Sequence, residues 1–105
     1  MAQKYTKLYY AAFDIPLHQD SFVPSELSGA RAVDIHHICT REHRIENLMA
    51  LTRQEHMDVG EVKRVTWKLL RTHRSFLIDK GVPFDDAWFQ EKLNEYNPFA
   101  KQNEI

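Results

Sequence analysis

The order Asn47, then Leu48-Met49-Ala50-Leu51, then Thr52-Arg53-Gln54-Glu55 constrains the fold more than any other stretch of this chain. Four uninterrupted apolar residues fit a short strand covered on both faces. Thr52 and Glu55 match a capping box, in which the hydroxyl bonds the Glu55 amide and the carboxylate reaches back. A helix is therefore expected from Arg53, with His56 at the end of its first turn. Upstream, Ala32 to Ile38 carries the branched residues Val33, Ile35 and Ile38 and follows a turn signal at Ser28-Gly29. The local order expected is strand, loop, strand, helix.

Polar residues sit on this frame at suggestive places. Asp34-Ile35-His36-His37-Ile38 is followed by Asn47 and then by His56, so two adjacent imidazoles, a carboxamide and a third imidazole fall close together in the chain. Such a set is able to hold one divalent cation and keep one histidine free as a base, the minimum equipment for cutting a phosphodiester. Neighbouring residues of a strand point to opposite faces, so His36 and His37 serve one site only at the strand's end. Taken singly, each has an ordinary explanation: adjacent histidines at a surface or hydrogen-bonded in a core, an asparagine in a turn, a polar residue near a helix start. Their combination in one apolar frame carries the signal.

These residues resemble the HNH nucleases, whose fold is a ββα-metal unit. The matching stretch runs from about Pro24 to Gly60, through "VPSELSGARAVDIHHI" and "RIENLMALTRQEH". The preceding "KLYYAAFDIPLHQDSFVPSELSG" is similar to the lead-in of small, often phage-encoded, members. The resemblance implies His36 and His56 as metal ligands, His37 as general base, and Asn47 as the residue that orients the base through the connecting loop. It implies one divalent ion (magnesium, manganese, nickel or zinc) at the cleavage site and DNA as substrate. Asp34 and Asp58 are further candidate ligands, and His73 a possible additional site residue. His18 and His43 are assigned to loops, with His43 within reach of the site.

Many relatives carry two Cys-x-x-Cys pairs that bind a structural zinc. The corresponding positions here are Ser25 and Ser28, then Thr52 and Glu55. Hydroxyls are poor zinc ligands beside thiolates, so no structural zinc is expected. The single cysteine, Cys39, allows no internal disulfide and suits a reducing cytoplasm; it reads as a packed thiol.

A chain of 105 residues with 43% hydrophobic residues can bury one modest core, which points to a single α+β domain. The HNH-like core spans about 24–60 and a helical part follows over about 61–97. No apolar stretch is long enough for a membrane span, and the N-terminus lacks a signal-peptide core. Glu61 to Ile78 reads as a helix with Val62, Val65, Leu69, Phe76 and Leu77 on one side and Arg64, Lys68 and Arg71 opposite. With Arg41 and Arg44 in the loop, that face offers phosphate contacts, or simply a solvated surface. His73 lies on the apolar side, where a buried, hydrogen-bonded ring is the default. A second helix is expected over Asp85 to Tyr96, with Trp88, Phe89 and Leu93. Lys4 to Phe13 fits helical and strand spacing equally. The tail from Lys101 to Ile105 is expected to fray.

The net charge of −1 does not favour strong non-specific DNA binding. It keeps open a competing class: a non-catalytic or partner-dependent nucleic-acid-binding module of a phage packaging or replication assembly.

Overall fold

The structure is a computed structural model that describes residues 3–60 and 62–99. In chain order it contains α1 (Lys4–Ala12), β1 (Asp34–His37), a 3-10 turn (Ile45–Asn47), β2 (Leu48–Leu51), α2 (Arg53–Val59), α3 (Lys63–Lys80) and α4 (Asp86–Tyr96). This is an α+β domain with one antiparallel strand pair, in which Asp34 faces Leu51 and His37 faces Leu48. β1 is shorter than the Ala32–Ile38 span expected; before it, Arg31 forms an isolated bridge with Pro24 and the Ala32 N–H goes to the Val23 carbonyl.

All four residues of β2 are fully buried, and the strand's alternation divides the interior. Met49 and Leu51 pack with Leu69, Leu70, Leu77 and Phe89 from α3 and α4. Leu48 and Ala50 face the other way, towards Tyr9 of α1 and Val23. One strand therefore serves two apolar layers, which is why its sequence lacks polar alternation. The Thr52 hydroxyl accepts the Glu55 N–H at 3.1 Å and the Glu55 carboxylate accepts the Thr52 N–H at 2.9 Å, so α2 begins on a complete capping box.

Ser25 and Thr52 meet at Glu55. The Ser25 hydroxyl donates to the Glu55 carboxylate, and Ser25 Oγ in turn accepts the Leu27 N–H at 3.1 Å. Burial pushes the Glu55 carboxyl upward, but hydrogen bonds from Ser25, Ser28 and Thr52 outweigh it and hold the group below its ordinary range. The Glu55 carboxylate, bonded to Ser25 and Thr52, thus ties the loop before β1 to the start of α2.

α1 resolves the ambiguity of the N-terminal aromatic run. Helical spacing places Tyr9 in the core, where its hydroxyl donates to Glu26 Oε2 at 2.7 Å. Glu26 Oε1 lies 2.6 Å from His73 Nδ1, and His73 Nε2 lies 2.6 Å from the Ile45 carbonyl oxygen. Burial, followed by the adjacent carboxylate, drives the Tyr9 phenol strongly upward, so it stays a donor. This network joins α1, the loop before β1, α3 and the 3-10 turn. Both nitrogens of His73 are engaged in the core, so His73 is not an additional site residue.

α3 closes at Gly81, whose φ of 70° is the left-handed conformation that glycine adopts without strain. It thus runs two residues past the Ile78 expected, whereas the expected start at Glu61 lies outside the described residues. Val62 is not on the apolar side: it caps the helix and is exposed, while Thr66, Leu70 and His73 are buried instead. α4 starts on the Asp85 side chain, which accepts the Ala87 and Trp88 N–H groups, and buries Trp88 and Phe89. The tail from Lys101 to Ile105 lies outside the described residues. Among the described residues, no helix is long and apolar enough to cross a membrane.

Candidate active site

Residues directly opposite in an antiparallel pair share a face. His36, opposite Met49, therefore lies on the α2 side, and His37, opposite Leu48, on the α1 side. The two rings accordingly acquire different neighbours.

His36 meets His56, with ring centroids 4.8 Å apart and planes at 62°. Asp34 shares the strand face of His36, but its carboxylate is engaged. Oδ2 lies 3.2 Å from His56 Nδ1, and the two oxygens accept Arg53 Nε at 2.8 Å and Nη2 at 3.1 Å. The hydrogen bond from Arg53 comes first in holding the Asp34 carboxyl below its ordinary range; burial opposes it and His56 adds to it. Asp34 is thus placed behind His56 rather than beside it as a ligand. Burial, then the charges of His56 and His37, lower the His36 ring to about 4, so it is neutral at physiological pH with a lone pair to offer.

This pair fits a catalytic cation by chemistry and spacing. Two imidazoles on one ion, with bonds of about 2.1 Å and near-tetrahedral angles, place their centroids about 5 Å apart. A carboxylate on the far nitrogen of a ligating histidine is the usual outer support. Among the described residues, no group of three or more His, Cys, Asp or Glu side chains is arranged to hold a metal ion. Water would therefore complete the shell, which leaves the open positions that catalysis requires. Asp58 is not drawn in: its Oδ1 accepts the Gln54 side-chain N–H at 2.8 Å, and it lines a separate groove with Leu27, Val59 and Lys68.

On the other face, His37 Nε2 lies 3.1 Å from His43 Nδ1. Tyr5 of α1 meets the His37 ring edge-on at 4.8 Å and stacks on the His43 ring at 5.4 Å. Desolvation, then His43, lower the His37 ring below its ordinary value, which favours the neutral form a base requires. A cleft of about 220 Å³ is lined by Tyr5, Thr6 and Tyr10 of α1 together with Asp34, Ile35 and His56.

Asn47 is fully buried, and its carboxamide closes the loop between the strands. Oδ1 accepts the N–H of Cys39 at 3.0 Å and of Thr40 at 3.3 Å; Nδ2 donates to the carbonyls of Thr40 and Glu42, each at 2.9 Å. Cys39 packs against Asn47, and burial raises its thiol to about 11, so it is an inert packed group at neutral pH.

The cationic residues divide. Arg44 is taken up internally: Nε donates to Glu46 at 2.9 Å, Nη2 to Asp85 at 3.2 Å, and the guanidinium lies over Trp88. That correction follows from three carboxylates, including Glu42, converging on one side chain. Arg64, Lys68 and Arg71 lie exposed along α3, and Arg41 is exposed in the loop. None of these four forms an ion pair among the described residues, although Arg71 rests over Trp67 at 4.9 Å.

Tyr5 and the contact made by His43 are what sequence reading missed. Their signal was weak: Tyr5 belongs to a run with no settled period, and His43 lies in a loop whose path depends on Asn47. Comparison of the chain with protein-family models, curated proteins and solved structures gives no match.

Proposed function

We propose that the chain is a metal-dependent endonuclease of HNH type that hydrolyses phosphodiester bonds of DNA. The observation that carries this reading is the His36–His56 pair, backed by Asp34, with neutral His37 next in the chain and, among the described residues, held from one nitrogen. Asp34, itself held by Arg53, engages His56 at Nδ1, and no other hydrogen bond to that ring is formed among the described residues. His36 and His56 would hold a divalent cation, which would supply positive charge at the scissile phosphate. His37 accepts the proton of the attacking water, and the buried Asn47 keeps the loop against it in one conformation. Exposed Arg64, Lys68, Arg71 and Arg41 supply phosphate contacts.

The net charge of −1 and the sequestration of Arg44 favour one variant of this reading, in which a larger packaging or replication protein contributes DNA affinity. Plasmid nicking by the purified chain with magnesium, manganese or nickel tests the proposal. His37→Ala is expected to lower cutting by about a hundredfold or more, with fold and metal binding intact. Undiminished cutting by that variant rejects the role of His37. Cutting that appears when the larger protein is added supports the variant reading.

A further inference from the structure

Three aromatic rings from separate parts of the chain meet beside the base proposed above: His37 at the end of β1, His43 in the loop, and Tyr5 on α1. The His37 and His43 rings are 5.1 Å apart with planes at 59°, and one hydrogen bond of 3.1 Å links them, from Nε2 of the first to Nδ1 of the second. A neutral imidazole has one N–H, so the link requires one ring to donate and the other to accept. The tautomer with its proton on Nε2 is the commoner one in water. If both rings adopt it, His37 Nε2–H donates to the His43 Nδ1 lone pair, and the exposed His43 keeps its own N–H for solvent. Among the described residues neither ring forms another hydrogen bond, so the preference for the Nε2–H tautomer in water decides the direction of the link.

We infer that His43, held against Tyr5, is a positioning residue for His37: it fixes the proton on Nε2 and leaves Nδ1 as the nitrogen that receives the proton of water. The inference rests on the nuclease reading for its consequence, but not for its geometry.

Two features hold His43 in place. Tyr5 stacks on its ring, with planes at 24°. Tyr5 is itself fixed because Tyr9, one turn further along α1, is anchored to the buried Glu26. From the chain side, the Asn47 carboxamide binds the Thr40 and Glu42 carbonyls immediately before His43. The N-terminal helix, outside the stretch that resembles the nuclease motif, thereby becomes part of the active site. A base held in one tautomer avoids the inactive population that a freely flipping ring would carry.

Long-range proton–nitrogen NMR correlation on the ¹⁵N-labelled full chain at neutral pH reads the tautomer directly. The expected result is a His37 ring protonated on Nε2 in the wild type. His43→Ala should shift its nitrogen signals towards a mixture of tautomers, and His43→Asn, which restores an acceptor, should return them. The same series should show kcat about tenfold lower in His43→Ala, KM within about twofold, and recovery in His43→Asn. A His37 ring protonated on Nδ1, or one unmoved by His43→Ala, overturns the inference, as does an unchanged kcat. An equal rise in KM with kcat unchanged also overturns it, because it makes His43 a substrate contact. If the wild type cuts nothing with any metal, alone or with the larger protein added, the nuclease reading falls, and the NMR result still judges the tautomer.

Discussion

His73 and the rings around β1 are the same side chain in two settings. In the core, His73 has an acceptor at each nitrogen, Glu26 on one side and the Ile45 carbonyl on the other, and is fully buried. At β1, His56 is held from Nδ1 by Asp34, and His37 from Nε2 by His43; both rings stay partly open to solvent. A ring bonded at both ends is a structural tie, because nothing is left to bind or exchange a proton. A ring bonded at one end is oriented and still reactive. Hydrogen-bond count separates the two roles better than burial alone.

The largest effect should come from breaking the tie. His73→Ala leaves the Glu26 carboxylate and the Ile45 carbonyl buried without their partner. Loss of about 3–5 kcal/mol in urea unfolding is expected, as for a broken buried pair. His37→Ala should cost well under that, about 0.5 kcal/mol, as a partly exposed ring. Equal losses at the two positions would erase the contrast.

Asn47→Ala comes next. It removes bonds to Cys39, Thr40 and Glu42 backbone groups around a buried site. About 2–3 kcal/mol of stability should be lost. Loop amides should exchange faster in hydrogen-exchange measurements, with those of Cys39 and Thr40 leading. Unaltered exchange at these amides would show that the loop keeps its shape without the carboxamide.

These contrasts mark where sequence reading succeeds. β2 and the Thr52–Glu55 cap were legible because their determinants are local: four apolar residues and a box spanning four positions. The pairing of His36 with His56 was expected only through the resemblance to the nuclease motif; the rings lie 4.8 Å apart. The helical type of α1 was not legible, since Tyr5, Leu8, Tyr9, Tyr10 and Phe13 suit either period until Glu26 pairs with Tyr9. Arg44 looked like a phosphate contact because Asp85, which takes it up, lies 41 residues away in the chain. The tie of His73 likewise required Glu26, 47 residues before it. Side chains whose partners are distant in sequence escape reading by spacing.

A further contrast concerns pH. The folded chain keeps His36 neutral down to about 4, while the unfolded ring takes a proton below its ordinary value of 6.5. The stability this provides is complete above 6.5 and declines as pH falls towards 4, because the unfolded state then binds the extra proton. In metal-free protein, His36→Gln should therefore show a shallower loss of urea midpoint over that window than the wild type. Parallel slopes would show that the ring is not desolvated as described.

Metal titration tests the centre most directly. Isothermal titration of the full chain with nickel or zinc should give one ion per chain, abolished in His36→Ala and in His56→Ala and retained in His37→Ala. Retention of binding without either of the first two rings, or its loss with His37, would contradict the division of labour described for these histidines.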